Sequence, residues 1–180
     1  MDFLCSVPVA AVRAEPRDDA ERVTELLQGE PVEVEEWRDG WARIKTAYDY
    51  PGWVHERDLG GIAGDAAEQA RRYLGTPYLW GGMTERGIDC SGLVHMSYRW
   101  LGRLVPRDAD QQEAAGAPLE EDELERGDLI TYGTDAATHI AFWLGDGRIL
   151  HSTEREGVDG VVEEVEPADL RAQRRRLIRL

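Results

Sequence analysis

The hydrophobic period changes once along this chain, near residue 62, and that change bounds the fold. Before it, short runs such as "EPVEVEEW", "GWARIKT" and "GWVHERDL" alternate apolar and polar residues around the turn signals "RDG" and "DYPG". Alternation buries one side of each strand, and tightly connected short strands close up on that side, so residues 1–61 are expected to form a small β-barrel. After it the period lengthens. "GDAAEQARRYLG" offers Asp65 as a helix N-cap, Glu68 as its capping-box partner and Gly75 as the stop. "SGLVHMSYRWLGRL" sets Leu93, Val94, Ser97, Leu101 and Leu104 on one helical stripe facing a core. "TPYLWGGMTERG" reads as a loop, "RDADQQEAAG" as a short helix and "EEDELERG" as an acidic turn. The runs "DLITYG", "THIAFWLG", "RILHST", "VVEEVEP" and "RRLIRL" read as strands. Residues 62–180 are therefore expected to be an α+β domain with helices packed on an antiparallel sheet.

Charge removes several function classes. With 36 acidic and 21 basic residues in 180, the net charge of −15 repels phosphate backbones and anionic lipid surfaces. No apolar run approaches the ~18 residues of a membrane span, so neither nucleic acid nor membrane is an expected partner. The one basic run, Arg174, Arg175 and Arg176, is expected on the solvated face of a terminal element. Two cysteines, Cys5 and Cys90, make no disulfide framework and no CxxC zinc pair, which suits a reducing compartment. "MDFLCSVPVAAVRAEP" lacks a basic start and is broken by Pro8, so it does not read as an export signal, and a cytoplasmic location is expected. The sequence leaves the oligomeric state open.

Cys90 lies in "GIDCSGLV", where a helix begins. A thiol there is a packing residue, a metal ligand or a nucleophile, and the unpaired N–H groups of the helix end favour its thiolate. A nucleophile needs a base. His139 and His151 flank the hairpin signal "IAFWLGDGRIL". A two-residue turn at Asp146–Gly147 alone would point the two imidazoles to opposite faces. A three-residue loop, Gly145 to Gly147 with Gly147 left-handed, sets His151 opposite Ala141 and makes the histidines diagonal neighbours. The three-residue loop is the expected one. His139 would then take the thiol proton while His151 fixes its orientation. A Cys/His/His zinc site requires both imidazoles on one ion, which an arrangement of one histidine orienting the other excludes. No metal or other cofactor is expected.

"GTPYLWGGMTERGIDCSGLV", "RGDLITY" and "THIAFWLGDGRILHS" resemble the NlpC-type cysteine peptidases, papain-like enzymes that cut bacterial cell-wall peptides. The resemblance spans residues 64–180. Residues 5–60, through "LLQGEPVEV", "DGWARIKT" and "YPGWVHERDL", resemble the bacterial SH3-like barrels attached to such enzymes. The combination is similar to the YkfC-like γ-D-glutamyl-L-diamino acid endopeptidases, which act on murein peptides carrying a free N-terminal L-Ala. The resemblance implies Cys90 as nucleophile, His139 as base and His151 as third polar member, with Tyr78 beside the oxyanion position. It further implies that Asp89 and Ser91 hold the free amine, helped by Tyr50 and Glu15 of the barrel. Three of these have a plainer alternative: Tyr78 packing on Trp80, Asp89 as a helix cap, Glu15 as a surface acid. One barrel and no export signal suit recycling of released murein peptides; a secreted hydrolase of intact wall and a non-catalytic peptide-binding module are the alternatives.

Overall fold

The computed structural model of the chain describes residues 2–60 and 64–180. The chain divides into two compact units, Met1–Ala63 with Trp100–Arg103, and Gly64–Arg99 with Leu104–Leu180. The expected boundary between residues 61 and 62 lies outside the described residues.

The first unit is a seven-stranded antiparallel sheet. Its strands are β1 (Asp2–Cys5), β2 (Val9–Arg13), β3 (Arg22–Leu27), β4 (Pro31–Arg38), β5 (Trp41–Thr46), β6 (Pro51–His55) and β7 (Leu59–Gly60), in the order β3-β2-β6-β5-β4-β1-β7. The alternation places Ala10, Val12, Val32, Ala42, Ile44 and Val54 in one core with Cys5 and Leu26. Burying such side chains is worth about 1.5–3 kcal/mol for each of the larger ones, which is what holds strands this short together. The "RDG" signal is the β4–β5 turn: Arg38 pairs with Trp41, and Asp39 and Gly40 both take positive φ, 48° and 79°.

The second unit begins with α1 (Ala66–Ala70), followed by a 3-10 turn over Arg71–Tyr73. Asp65 caps α1, accepting from the Ala67 N–H at 2.7 Å, and Gly75 ends the segment at φ 80°. Glu68 does not close a capping box; its carboxylate pairs instead with Arg71 and Arg126. The loop expected over residues 76–87 holds a minimal hairpin, β8 (Met83–Thr84) with β9 (Gly87–Ile88). Helices α2 (Cys90–Trp100) and α3 (Ala109–Ala115) follow. Leu93, Val94 and Ser97 are buried as their spacing predicts. Leu104 is not: the helix stops at Trp100, the chain leaves the stripe, and Leu104 is 77% exposed.

The sheet of this unit contains β10 (Ala117–Leu119), β11 (Leu129–Tyr132), β12 (His139–Gly145), β13 (Arg148–Arg155), β14 (Val158–Val165) and, after α4 (Ala168–Arg171), β15 (Arg174–Arg179). The order is β10-β15-β11-β12-β13-β14, antiparallel throughout. Strand β10 carries a proline and only three residues, too little pattern for the sequence to announce it. Arg174 and Arg175 are not on a solvated face. They are mostly buried against Glu166 and Glu113, because β15 lies inside the sheet. Among the described residues no helix is long and apolar enough to cross a membrane.

The β12–β13 hairpin differs from expectation in an instructive way. Gly145 pairs with Arg148, so the loop is the two-residue turn Asp146–Gly147, both at positive φ (51° and 72°). Trp143 nevertheless pairs with Ile149, leaving Leu144 as the extra residue of a β-bulge. The bulge shifts the register by the one residue that the shorter turn removes. Phe142 then faces Leu150, which sets His151 across from Ala141, as the longer loop would have done.

Candidate active site

Cys90 is the first residue of α2 and is 5% exposed. Asp89 immediately before it caps the helix, its Oδ1 accepting the Gly92 N–H at 2.7 Å. Position 92 has to be glycine, because a Cβ there would lie 2.4 Å from the Gly82 carbonyl oxygen. That close approach brings the loop carrying Gly81 and Gly82 onto the start of the helix. Arg107 then ties the parts together: it bonds Asp89 Oδ2 at 2.8 Å, Ser91 Oγ at 2.9 Å and the Gly82 carbonyl at 3.1 Å. From α3, Gln112 Nε2 donates to the Ser91 carbonyl at 3.0 Å.

The histidines meet as the register requires. His139 Nε2 lies 2.7 Å from His151 Nδ1, and His151 Nε2 lies 2.9 Å from Glu164 Oε1 on β14. The helix body packs on the other side of β12, where Tyr98 lies 6.4 Å from Phe142, and the sulfur approaches the start of the strand. There the N–H of Ile140, the residue after His139, points at the thiol. The bond to His151 uses His139 Nε2 and leaves Nδ1 as its remaining ring nitrogen.

Helix-end N–H groups alone would favour thiolate. Here burial is larger: it pushes the Cys90 thiol up to about 11, the Asp89 charge adds to the rise, and the N–H groups of Ile140, Ser91 and Cys90 offset only part of it. Burial likewise drives His139 down to about 3, with His151 adding to the fall. Both groups rest neutral, a thiol near a neutral imidazole rather than a standing thiolate. Tyr78 is held by its backbone N–H on Asp159 at 3.1 Å and by a bridge to Ile88. Burial, then the charges of Cys90 and Asp89, raise its hydroxyl to about 12, so it remains a hydrogen-bond donor.

A cleft of about 640 Å³ opens beside the sulfur, lined by Trp80, Asp89, Cys90, Arg107, Asp108 and Ala137 among others. Asp89 and Ser91, the residues expected to hold the amine, both line this cleft and are both hydrogen-bonded within the protein. Asp89 Oδ1 accepts from the helix end, and Oδ2 accepts from the Gly81 N–H at 2.6 Å and from Arg107. Ser91 Oγ is buried between Asp89 and Arg107. The cleft is also lined by the exposed carboxylates Asp108 and Asp110, which look in the sequence like ordinary polar residues of a short helix. The cleft residues named here all belong to the second unit, whereas Tyr50 and Glu15 belong to the first. Tyr50 precedes β6 and is exposed, with its N–H on Thr46 Oγ1. Glu15 is exposed and paired with Arg17 at 3.3 Å.

Helices on one antiparallel sheet, with a thiol at a helix start and a histidine pair on the adjoining hairpin, place the second unit in the papain-like α+β class. A family model described as the NlpC/P60 family matches residues 75–174, and one described as the bacterial dipeptidyl-peptidase Sh3 domain matches residues 12–59. The chain belongs to the NlpC/P60 family. It is 38% identical over 163 residues to a protein named γ-D-glutamyl-L-lysine dipeptidyl-peptidase from Bacillus subtilis, covering 84% of this chain and 53% of that one. A protein of the same name from Bacillus cereus is 36% identical over 98 residues, 52% of this chain and 29% of that one. The chain thus spans about half the length, or less, of these curated relatives. A crystal structure of an NlpC/P60 family protein from Bacillus cereus matches 99% of this chain and 62% of its own at a TM-score of 0.60; its 22% identity speaks for the fold alone.

Proposed function

We propose that this chain is a cysteine peptidase that hydrolyses the γ-D-Glu–diamino acid bond of murein peptides with a free N-terminal L-Ala, acting on released peptides. The observation that carries the reading is the line of hydrogen bonds from His139 through His151 to Glu164, next to a thiol at a helix start. A packing cysteine has no use for it.

In this reading the Cys90 proton passes to His139 Nδ1 as the sulfur attacks the γ-carbonyl of D-Glu. The Tyr78 hydroxyl donates to the developing oxyanion. His139 returns the proton to the departing amine of the diamino acid, leaving a thioester. Water then attacks with His139 as base, and the γ-carboxyl product departs from a reprotonated thiol. The names of the relatives, γ-D-glutamyl-L-lysine dipeptidyl-peptidase, support this bond. Amine recognition is assigned to Asp89 and Ser91, as the family resemblance implies, with the exposed carboxylates Asp108 and Asp110 on the lip of the same cleft as further partners for an ammonium group. Tyr50 and Glu15 remain part of the proposal only through the family resemblance of the barrel.

The test compares L-Ala-γ-D-Glu-diamino acid tripeptide with its N-acetylated form and with intact sacculi, by mass spectrometry. The free tripeptide is expected to be cut, and acetylation to lower kcat/KM at least about 100-fold, the loss expected when a site built to bind a substrate amine meets an analogue lacking it. Equal turnover of the acetylated peptide would remove the amine requirement. Release of fragments from sacculi at a comparable rate would favour the wall-hydrolase alternative.

A further inference from the structure

We propose that Glu164, held by Arg155, is a positioning residue that sets the proton positions of both histidines and thereby directs a lone pair of His139 at the thiol. The inference rests on the peptidase reading of the site.

Proton counting along the hydrogen bonds carries the argument. Glu164 is a carboxylate: burial alone would raise its pKa, but Arg155 and His151 outweigh this and hold it below the ordinary range. An ionised carboxylate only accepts, so the nitrogen facing it, His151 Nε2, must carry a proton. His151 is itself neutral, because burial lowers its pKa and Arg155 lowers it further, against the pull of Glu164. A neutral imidazole protonated at Nε2 has a bare Nδ1. That bare Nδ1 lies 2.7 Å from His139 Nε2, so His139 must donate from Nε2. Neutral His139 then has its lone pair on Nδ1, the nitrogen not used by His151. One carboxylate thus decides, two imidazoles away, that the base is available to the sulfur.

Arg155 completes the device. Its guanidinium lies 2.5 and 2.7 Å from the two Glu164 oxygens, which keeps the carboxylate charged and fixes its plane. The charged and titratable groups acting on this line are few. They are Glu164 on β14, Arg155 on β13 and Cys90 on α2, with Asp89 and Arg107 acting through Cys90. The Tyr132 ring, 5.7 Å from His139, keeps its proton under burial and the nearby Glu166. Without Glu164, His151 can take either tautomer, and in one of the two it presents an N–H to His139 and turns the lone pair of the base away from the sulfur.

Imidazole nitrogen-15 spectra of the full chain test this without reference to turnover. The wild type is expected to show both His139 and His151 protonated at Nε2 at neutral pH. Glu164→Ala is expected to give mixed tautomers at His151, with kcat lowered about 10- to 100-fold and KM nearly unchanged, as for other partners that orient a functional histidine. Glu164→Gln keeps an oxygen acceptor and is expected to retain the wild-type tautomers and most of kcat. Arg155→Gln, with Glu164 intact, is expected to move the acid limb of kcat/KM without changing circular dichroism. Wild-type His151 protonated at Nδ1, or Glu164→Ala with unchanged spectra and pH profile, would overturn the proposal. A protein that shows the expected tautomers but cuts no murein peptide would instead count against the peptidase reading alone.

Discussion

At the scale of single residues, burial drives the thiol and its base toward neutrality from opposite directions, up to about 11 for Cys90 and down to about 3 for His139. This has a consequence for stability. His139 and His151 both resist protonation in the folded chain, whereas in the unfolded chain an imidazole titrates near its ordinary value of about 6.5. Below that value the unfolded state binds more protons, so stability is present above it and falls as the pH drops toward the depressed folded values. Each histidine contributes at most about 1.4 kcal/mol per pH unit across this window. Urea unfolding followed from about pH 7 to about pH 5, above most of the carboxylate range, is expected to show a falling midpoint, and His139→Gln/His151→Gln to flatten that slope. An equally steep slope in the double variant would place the protons elsewhere. Cys90, His139 and His151 were legible in the sequence because the alternation of one hairpin brought two histidines together. Glu164 was not: in "VVEEVE" it looks like any solvated strand acid, and only the pairing of Ile149 with Glu164 across β13 and β14 brings it to His151. Arg107 was hidden for a similar reason, since its partners Asp89, Ser91 and Gly82 are brought to it only by folding.

At the scale of elements, the β12–β13 hairpin decides whether the site exists. Counting residues identified the parity that the chemistry needs but assigned it to a longer loop. The chain instead uses the tight turn Asp146–Gly147 and places the compensating residue, Leu144, inside β12. Nothing about a leucine in an apolar strand announces a bulge, so that part was not readable. The account makes a sharp demand of it. Deleting Leu144 leaves the turn intact and removes the bulge while Gly145 still faces Arg148 and Trp143 still faces Ile149, so His151 stays across from Ala141 and a folded deletion variant is expected to keep its turnover within about tenfold of wild type. Melting curves and circular dichroism establish whether the variant is folded. A fall of about 1000-fold in a folded deletion variant, the order seen when a catalytic histidine loses its orienting partner, would show that the pairing register alone is not what joins the histidines.

At the scale of the whole molecule, the change of period near residue 62 foretold two differently built parts, and the chain contains two compact units, one all-β and one α+β. The strands were readable because their alternation matches one buried face, as at Ala10 and Val12 or at Ala42 and Ile44. Of the arginine run expected on a solvated face, Arg176 is exposed, whereas Arg174 and Arg175 lie against buried acids, because β15 lies between β10 and β11, which the sequence does not show. The acid excess is unevenly used: Glu113, Asp128 and Glu166 are buried in ion pairs, while Asp108 and Asp110 are exposed at the cleft. What unites these features functionally is the step from thiol to imidazole. The most direct test is kcat/KM on the free tripeptide for wild type, Cys90→Ala and His139→Ala, with folding checked by circular dichroism. The account predicts that each substitution lowers kcat/KM at least about 1000-fold in a folded protein. Full turnover by Cys90→Ala would contradict it.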